Sequence, residues 1–202
     1  MHDIVKMVYK IKGFFLLLMV MGSLTLSGQS ETEKKLIGIS EDKLLFADGS
    51  ELQLPSLKFD EVRLFVFVRH AEKDTIGFDP GLLDEGNLRA DRLARIFASV
   101  DLEAIYSTPF RRTNLTAYPL ANGKQLETLQ YDPGHLDHFI KEVLWKGEGN
   151  MLVVGHSNTT PLLLNKILGE DRFEQIPENE YQHIFMIEKY PNGKLRMYEF
   201  SF

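Results

Sequence analysis

Leu64-Phe65-Val66-Phe67-Val68 and Met151-Leu152-Val153-Val154 are apolar at every position. A strand with one wet face alternates apolar and polar residues. Uninterrupted short runs rich in β-branched and aromatic side chains instead fit strands covered on both faces, as in a parallel sheet. Ala104-Ile105-Tyr106 predicts a shorter strand and Leu126 to Tyr131 another. Between these runs the period changes to that of a helix. Residues 84–99 place Ala90, Leu93, Ala94 and Phe97 on one face, with Asp84 as the cap. Thr108-Pro109 opens a second helix, because proline suits the first helical position. Leu136, Phe139, Ile140, Val143 and Leu144 mark a third over 134–146. Leu162 to Leu168 marks a fourth, stopped by Gly169. Ile184 to Glu188 and Leu195 to Phe200, joined through Pro191-Asn192-Gly193, form a closing hairpin. Strands alternating with helices predict an α/β fold around a mostly parallel, doubly wound sheet. Ahead of it, Lys43 to Phe46 and Glu51 to Leu54 flank Ala47-Asp48-Gly49-Ser50. This Asp-Gly turn predicts a small N-terminal β-hairpin within residues 31–60, an accessory flap without obvious chemistry.

The first 30 residues follow a different pattern. Lys6, Lys10 and Lys12 precede a mostly apolar run of 13 residues from Phe14 to Leu26, and Ser27-Gly28-Gln29-Ser30 follow. A basic start, a short apolar run and small residues are the parts of a secretory signal peptide. The run is shorter than the roughly 20 residues of a spanning helix. The expectation is therefore export to the periplasm or the medium, with cleavage near residue 30 favoured over retention of the segment as an anchor. The formal charge of the chain is −6. Three lysines and one aspartate leave with the signal, so −6 becomes −8. Neither nucleic acid nor an acidic membrane surface is then an expected partner. There are no cysteines, which removes disulfides, thiolate metal sites and a cysteine nucleophile together.

The chemistry concentrates where the two apolar runs end. Arg69-His70-Ala71-Glu72-Lys73 follows the first, and Gly155-His156-Ser157-Asn158 follows the second. In open α/β sheets ligands bind beyond the carboxyl ends of the strands. If these strands are neighbours, both imidazoles face one pocket. Arg112, in the first turn of the helix after a third strand, joins them. Guanidinium groups match phosphate oxygens with a planar fork, and helix N-termini add backbone N–H donors. Taken singly, each of these residues is more often solvated or capping than catalytic. Their equivalent places after successive strands point to an anion site.

Phe67-Val68-Arg69-His70-Ala71-Glu72 resembles the Arg-His-Gly-Glu signature of the histidine phosphatase superfamily, also called phosphoglycerate mutase-like. Leu83-Asp84-Glu85-Gly86 resembles that family's Leu-Thr-x-x-Gly helix start. Ile105 to Ala117, containing Ser107-Thr108-Pro109-Phe110-Arg111-Arg112, is similar to its Ser-Ser-Pro-Leu-x-Arg block, and Val153-Val154-Gly155-His156-Ser157 to its second histidine motif. The four motifs run in the family's order over about residues 64–200. The resemblance implies a three-layer α/β/α sandwich over 61–202 and a phosphohistidine intermediate on His70. It implies that Arg69 and Arg112 bind the phosphoryl group, that His156 hydrogen-bonds it, and that neither metal nor cofactor is needed. Lys73, Ser157 and Asn158 are substrate-binding candidates, and Glu180 and Tyr181 candidates for the pocket rim. The sequence departs from the family in three places. Ala71 stands where glycine is usual, and Ile76 where many relatives have asparagine. The usual acidic glutamate motif after the third strand is absent. Asp132, in Tyr131-Asp132-Pro133-Gly134-His135, is the nearest carboxylate to serve as acid, and Asp137 the next.

The expected activity is hydrolysis of small phosphate monoesters outside the cytoplasm. Phosphoglycerate mutase-type transfer on the same nucleophile and a non-catalytic phosphoryl-binding module are the alternatives. Without an acid, substrates with good leaving groups, such as phosphoramidates, fit best.

Overall fold

A computed structural model describes residues 34–202; the expected signal segment lies outside the described residues. The apolar runs form the two central strands of a six-stranded sheet. In chain order the elements are β1 (Leu36–Ser40), β2 (Lys43–Phe46), β3 (Glu51–Gln53), β4 (Arg63–Arg69), α1 (Asp84–Ile96), β5 (Leu102–Ser107), α2 (Arg111–Lys124) and β6 (Thr128–Gln130). A short α3 (Leu136–His138) continues as a π-helical stretch over Phe139–Leu144, and β7 (Asn150–Gly155), α4 (Thr159–Leu168), β8 (His183–Lys189) and β9 (Leu195–Ser201) follow.

The sheet order is β6-β5-β7-β4-β8-β9. Strands β4 to β7 pair in parallel, and β8 and β9 add an antiparallel edge beside β4. Leu64 to Val68 and Met151 to Val154 are almost wholly buried, because both sheet faces are covered. One face packs under α1 and α2, where Leu64, Val66, Val68, Leu152 and Val154 meet Leu93, Phe97, Ala117 and Leu120. The opposite face uses Phe65, Phe67, Met151 and Val153 against Phe139, Leu144, Leu163 and Leu164. This is the three-layer α/β/α sandwich.

The N-terminal element departs from the expected flap. β1 pairs with β2, and β2 with β3, in a three-stranded antiparallel sheet. Its Leu36, Leu44 and Phe46, with Leu54 just beyond β3, are buried within the same apolar cluster as α1 and α2. Apolar burial explains the placement: these side chains extend the core rather than cover the site. The segment after β3 is fastened from within. The buried carboxylate of Glu188 accepts the Ser56 backbone N–H (2.8 Å) and the hydroxyls of Tyr198 (2.9 Å) and Tyr190 (3.1 Å).

Helix boundaries shift in informative ways. α2 begins at Arg111 rather than at Thr108-Pro109, because Phe110 is extended (φ −120°, ψ 146°). Asp84 is the first residue of α1 rather than its cap. The third helix starts at Leu136, and the widened turn carries a bond from Trp145 N–H to the Ile140 carbonyl (2.9 Å). α4 ends as expected at Gly169, in the left-handed region at φ 70°.

Gly86 explains its place in the helix-start motif. A Cβ there would lie 2.2 Å from the carbonyl oxygen of Glu72, two residues after His70. The first turn of α1 thus rests directly on the backbone beyond β4. Gly86→Ala is expected to destabilise the fold by about 2 kcal/mol or more, since the obstacle is backbone. Gly123→Ala, with nothing within 4 Å of its Cβ in α2, should be stabilising by about 0.5 kcal/mol. Urea unfolding midpoints of the two variants, which should move in opposite directions, check both.

Candidate active site

The register of the central strands builds the site. Arg69 pairs with Gly155, and the His70 N–H donates to the Gly155 carbonyl (2.9 Å). His70 and His156 therefore emerge side by side, with ring centroids 5.4 Å apart. Both open onto a cleft of about 420 Å³ that Lys73, Phe110, Arg112, Ser157, Asn158 and Glu178 also line. Four elements contribute to one concavity at the carboxyl end of the sheet, as a doubly wound fold requires.

Hydrogen bonding sets the protonation of both imidazoles. Nδ1 of His70 lies 2.8 Å from the carbonyl oxygen of Ala71. A carbonyl only accepts, so Nδ1 carries the hydrogen and Nε2 carries the lone pair. Ala71 is held in turn: its N–H donates to Thr116 Oγ1 of α2 (2.9 Å). That bond uses the backbone donor at the position where glycine is usual.

His156 is fixed the other way round. Arg112 Nη2 donates to its Nδ1 (3.3 Å), so Nε2–H donates to Thr108 Oγ1 (2.8 Å). Thr108 Oγ1 passes its hydrogen to Thr113 Oγ1 (3.0 Å). Both His156 nitrogens thus engage protein groups, and the ring buttresses Arg112.

Burial keeps the two rings neutral. Desolvation first, then the charges of Arg69 and Arg112, push His70 down from 6.5 to about 3. The same causes, with Arg112 the larger charge, push His156 down from 6.5 to about 4. The unfolded chain, whose imidazoles titrate near 6.5, binds more protons than the fold below that pH. Their contribution to stability is complete above pH 6.5 and is lost as pH falls toward 4. Each ring should cost on the order of 1 kcal/mol per pH unit in that window. Urea unfolding at pH 7 and pH 5 should show the loss. His70→Asn should retain a larger share of its own pH 7 stability at pH 5.

The guanidinium groups are held without being saturated. Arg69 is 1% exposed. Its Nη1 donates to the carbonyls of Pro177 (2.8 Å) and Glu180 (2.9 Å), and Nη2 donates to Glu178 Oε2 (2.9 Å). Tyr181 lies under its plane, 4.2 Å from the ring centroid. Arg112 stacks on Phe110 at 4.5 Å and meets Asp79 at 3.5 Å through Nη1. Asp79 also accepts the backbone N–H of Arg111 (3.0 and 3.1 Å). The Nε–H groups of Arg69 and Arg112 are buried and make no hydrogen bond. A buried donor left unpaired costs about 1–3 kcal/mol, and an incoming oxyanion is the kind of group that satisfies it.

Of the residues singled out in the sequence, His70, Arg112, His156, Lys73, Ser157 and Asn158 line the cleft, and Arg69 lies buried in direct contact with Glu178 at its edge. Asp132 does not line it. Its exposed carboxylate turns back on its own loop, accepting the Gly134 N–H (2.7 Å) and pairing with His135 Nδ1 (2.7 Å). Asp137 pairs with Lys166, and Asn158 makes no side-chain cap to α4. Glu180 meets the site through Arg69, and Tyr181 lies against both Arg69 and the His70 ring, 6.0 Å away between centroids. Glu72 of the first motif grips Arg89 with both oxygens (2.6 and 3.0 Å), a bracing role behind the site. Sequence reasoning missed Glu178, Asp79 and Thr108. The first two sit in loops without periodicity, and only Thr108, next to the helix-opening proline, carried a local signal.

Two neutral imidazoles and two incompletely satisfied guanidiniums thus come together at the carboxyl edge of the parallel strands of an α/β fold. Residues 65–136 match the Histidine phosphatase superfamily (branch 1). The matched stretch runs from β4 through α2 and contains Arg69, His70 and Arg112. It is 38% identical over 74 residues to Phosphoserine phosphatase 1 of Hydrogenobacter thermophilus, an alignment covering 33% of this chain and 35% of that protein. The match thus spans about a third of the curated relative's length. Among solved structures, the protein histidine phosphatase SixA complexed with tungstate superposes with a TM-score of 0.55 at 16% identity, covering 68% of this chain and 96% of that one. Phosphoserine phosphatase from Entamoeba histolytica, in complex with 3-phosphoglyceric acid, gives 0.55 at 13% identity, covering 69% and 97%. At these identities the structural likeness establishes the fold.

Proposed function

We propose that this protein hydrolyses phosphate monoesters through a phosphohistidine on His70, without a metal ion and outside the cytoplasm. The observation that carries the reading is the tautomer of His70. With Nδ1–H held by the Ala71 carbonyl, the lone pair of Nε2 is available to attack phosphorus. Nε2 forms the new N–P bond while the ester P–O bond breaks and its electron pair leaves with the alcohol oxygen. Charge spreads over the equatorial oxygens, where Arg112, Arg69 and the N-terminus of α4 supply fixed positive ends. Water then displaces the imidazole and releases inorganic phosphate. Metal independence rests on the same electrostatics, because a cleft flanked by two guanidiniums repels a cation. The setting outside the cytoplasm rests on the basic and apolar pattern of residues 1–30. Hydrolysis as the outcome draws support from the phosphatases among the similar proteins.

The test is covalent labelling with a ³²P-labelled monoester, with and without chelator. An acid-labile, alkali-stable adduct, insensitive to chelation and absent from His70→Ala, is expected. Ligand binding with no adduct would make the protein a phosphoryl-binding module. Adduct formed only with added metal would overturn the metal-free mechanism.

A further inference from the structure

We infer that Glu178 is the base that activates water against the phosphohistidine, and that the site has no acid to match it. The inference rests on the phosphohistidine reading above. Glu178 is the one carboxylate lining the cleft among the described residues. Its Oε1 accepts from Ser157 Oγ (2.9 Å), the residue next to His156, and its Oε2 from Arg69 Nη2 (2.9 Å), the residue next to His70. The side chain is 68% exposed, so water reaches it. Arg69 keeps Nε–H and the second Nη2 hydrogen available, so one guanidinium can hold a phosphoryl oxygen and this carboxylate together. The loop that carries Glu178 is fixed to the same arginine through the Pro177 and Glu180 carbonyls. The carboxylate is thereby tethered beside the phosphoryl position.

Its surroundings decide between acid and base. Donation from Ser157, then the charges of Arg69 and Lys73, hold its pKa below the ordinary glutamate value. At neutral pH it is an anion that accepts a proton but has none to give. In the second step a water oxygen bonds to phosphorus, and the N–P bond breaks with its electron pair returning to His70 Nε2. The proton from water passes to Glu178 and on to solvent. In the first step the departing oxygen carries away its negative charge, with no carboxylic acid among the described residues of the cleft to protonate it. The site therefore favours esters of acidic alcohols, aryl phosphates above alkyl phosphates.

Pre-steady-state turnover of 4-nitrophenyl phosphate separates the two steps. In Glu178→Gln the burst of nitrophenolate should keep its rate within about twofold. Steady turnover should fall on the order of 100-fold, with the phosphohistidine adduct accumulating, and Glu178→Asp should recover part of the loss. Dephosphorylation at the unaltered rate in Glu178→Gln overturns the assignment. So does a burst that slows as much as turnover, which would leave Glu178 a positioning residue for Arg69. Absence of any adduct in the unmodified chain removes the phosphohistidine reading and this assignment with it. An adduct that forms normally and decays normally in the variant removes the assignment alone.

Discussion

His70→Ala is expected to lower kcat/KM for an aryl phosphate by about 10⁴-fold or more, the scale seen when a nucleophile that anchors a covalent route is removed. The reason lies in how completely the ring is prepared. Its tautomer is set by the Ala71 carbonyl, its backbone is bonded to β7 through Gly155, and burial keeps it uncharged down to about pH 3. No neighbouring group can replace it, because both nitrogens of His156 are engaged with Arg112 and Thr108. Inorganic phosphate should still bind to the variant within a few-fold of the parent affinity, since Arg69 and Arg112 remain. Steady-state kinetics together with calorimetric titration of phosphate check the two halves. Activity above a tenth of the parent value would remove His70 from the reaction path.

Arg112→Ala should cost about 10²- to 10³-fold in kcat, corresponding to about 3–4 kcal/mol of lost transition-state stabilisation. Its guanidinium is poised by three contacts at once: Phe110 beneath, Asp79 at one nitrogen and His156 at another. A positioned fork stabilises charge as it develops without reorganising at that moment. Lysine at this position keeps the charge but lacks the second nitrogen that spans Asp79 and His156, so Arg112→Lys should recover only a small part of the loss. Comparable kcat values for Arg112→Lys and the parent enzyme would show that charge alone suffices.

The centre of the sheet was legible because β4 and β7 are buried on both faces, which leaves an unbroken apolar signature. That they are neighbours, and that Arg69 falls opposite Gly155, is a property of pairing across the fold that no local pattern encodes. β1 escaped notice because five residues containing a glycine and a terminal serine carry little alternation; its strand state depends on β2 beside it. Asp132 attracted attention by its position after the third strand. Its carboxylate is instead captured by Gly134 and His135, two and three residues on, as Asp in a turn commonly is. Glu178 was invisible for the opposite reason. Nothing local marks it, and its place follows from Arg69 gripping two carbonyls of a distant loop.

The interleaving of β7 between β5 and β4 has a consequence for how the centre comes into being. Leu64 and Asn150 are 86 positions apart, and β4 touches β5 only through the late-arriving strand. Closing so long a loop is entropically costly until the final pairing repays it. A chain still lacking β7 has neither its second imidazole nor the carbonyl that receives the His70 N–H. On the proposed reading, phosphoryl recognition therefore waits until β7 has paired between β5 and β4.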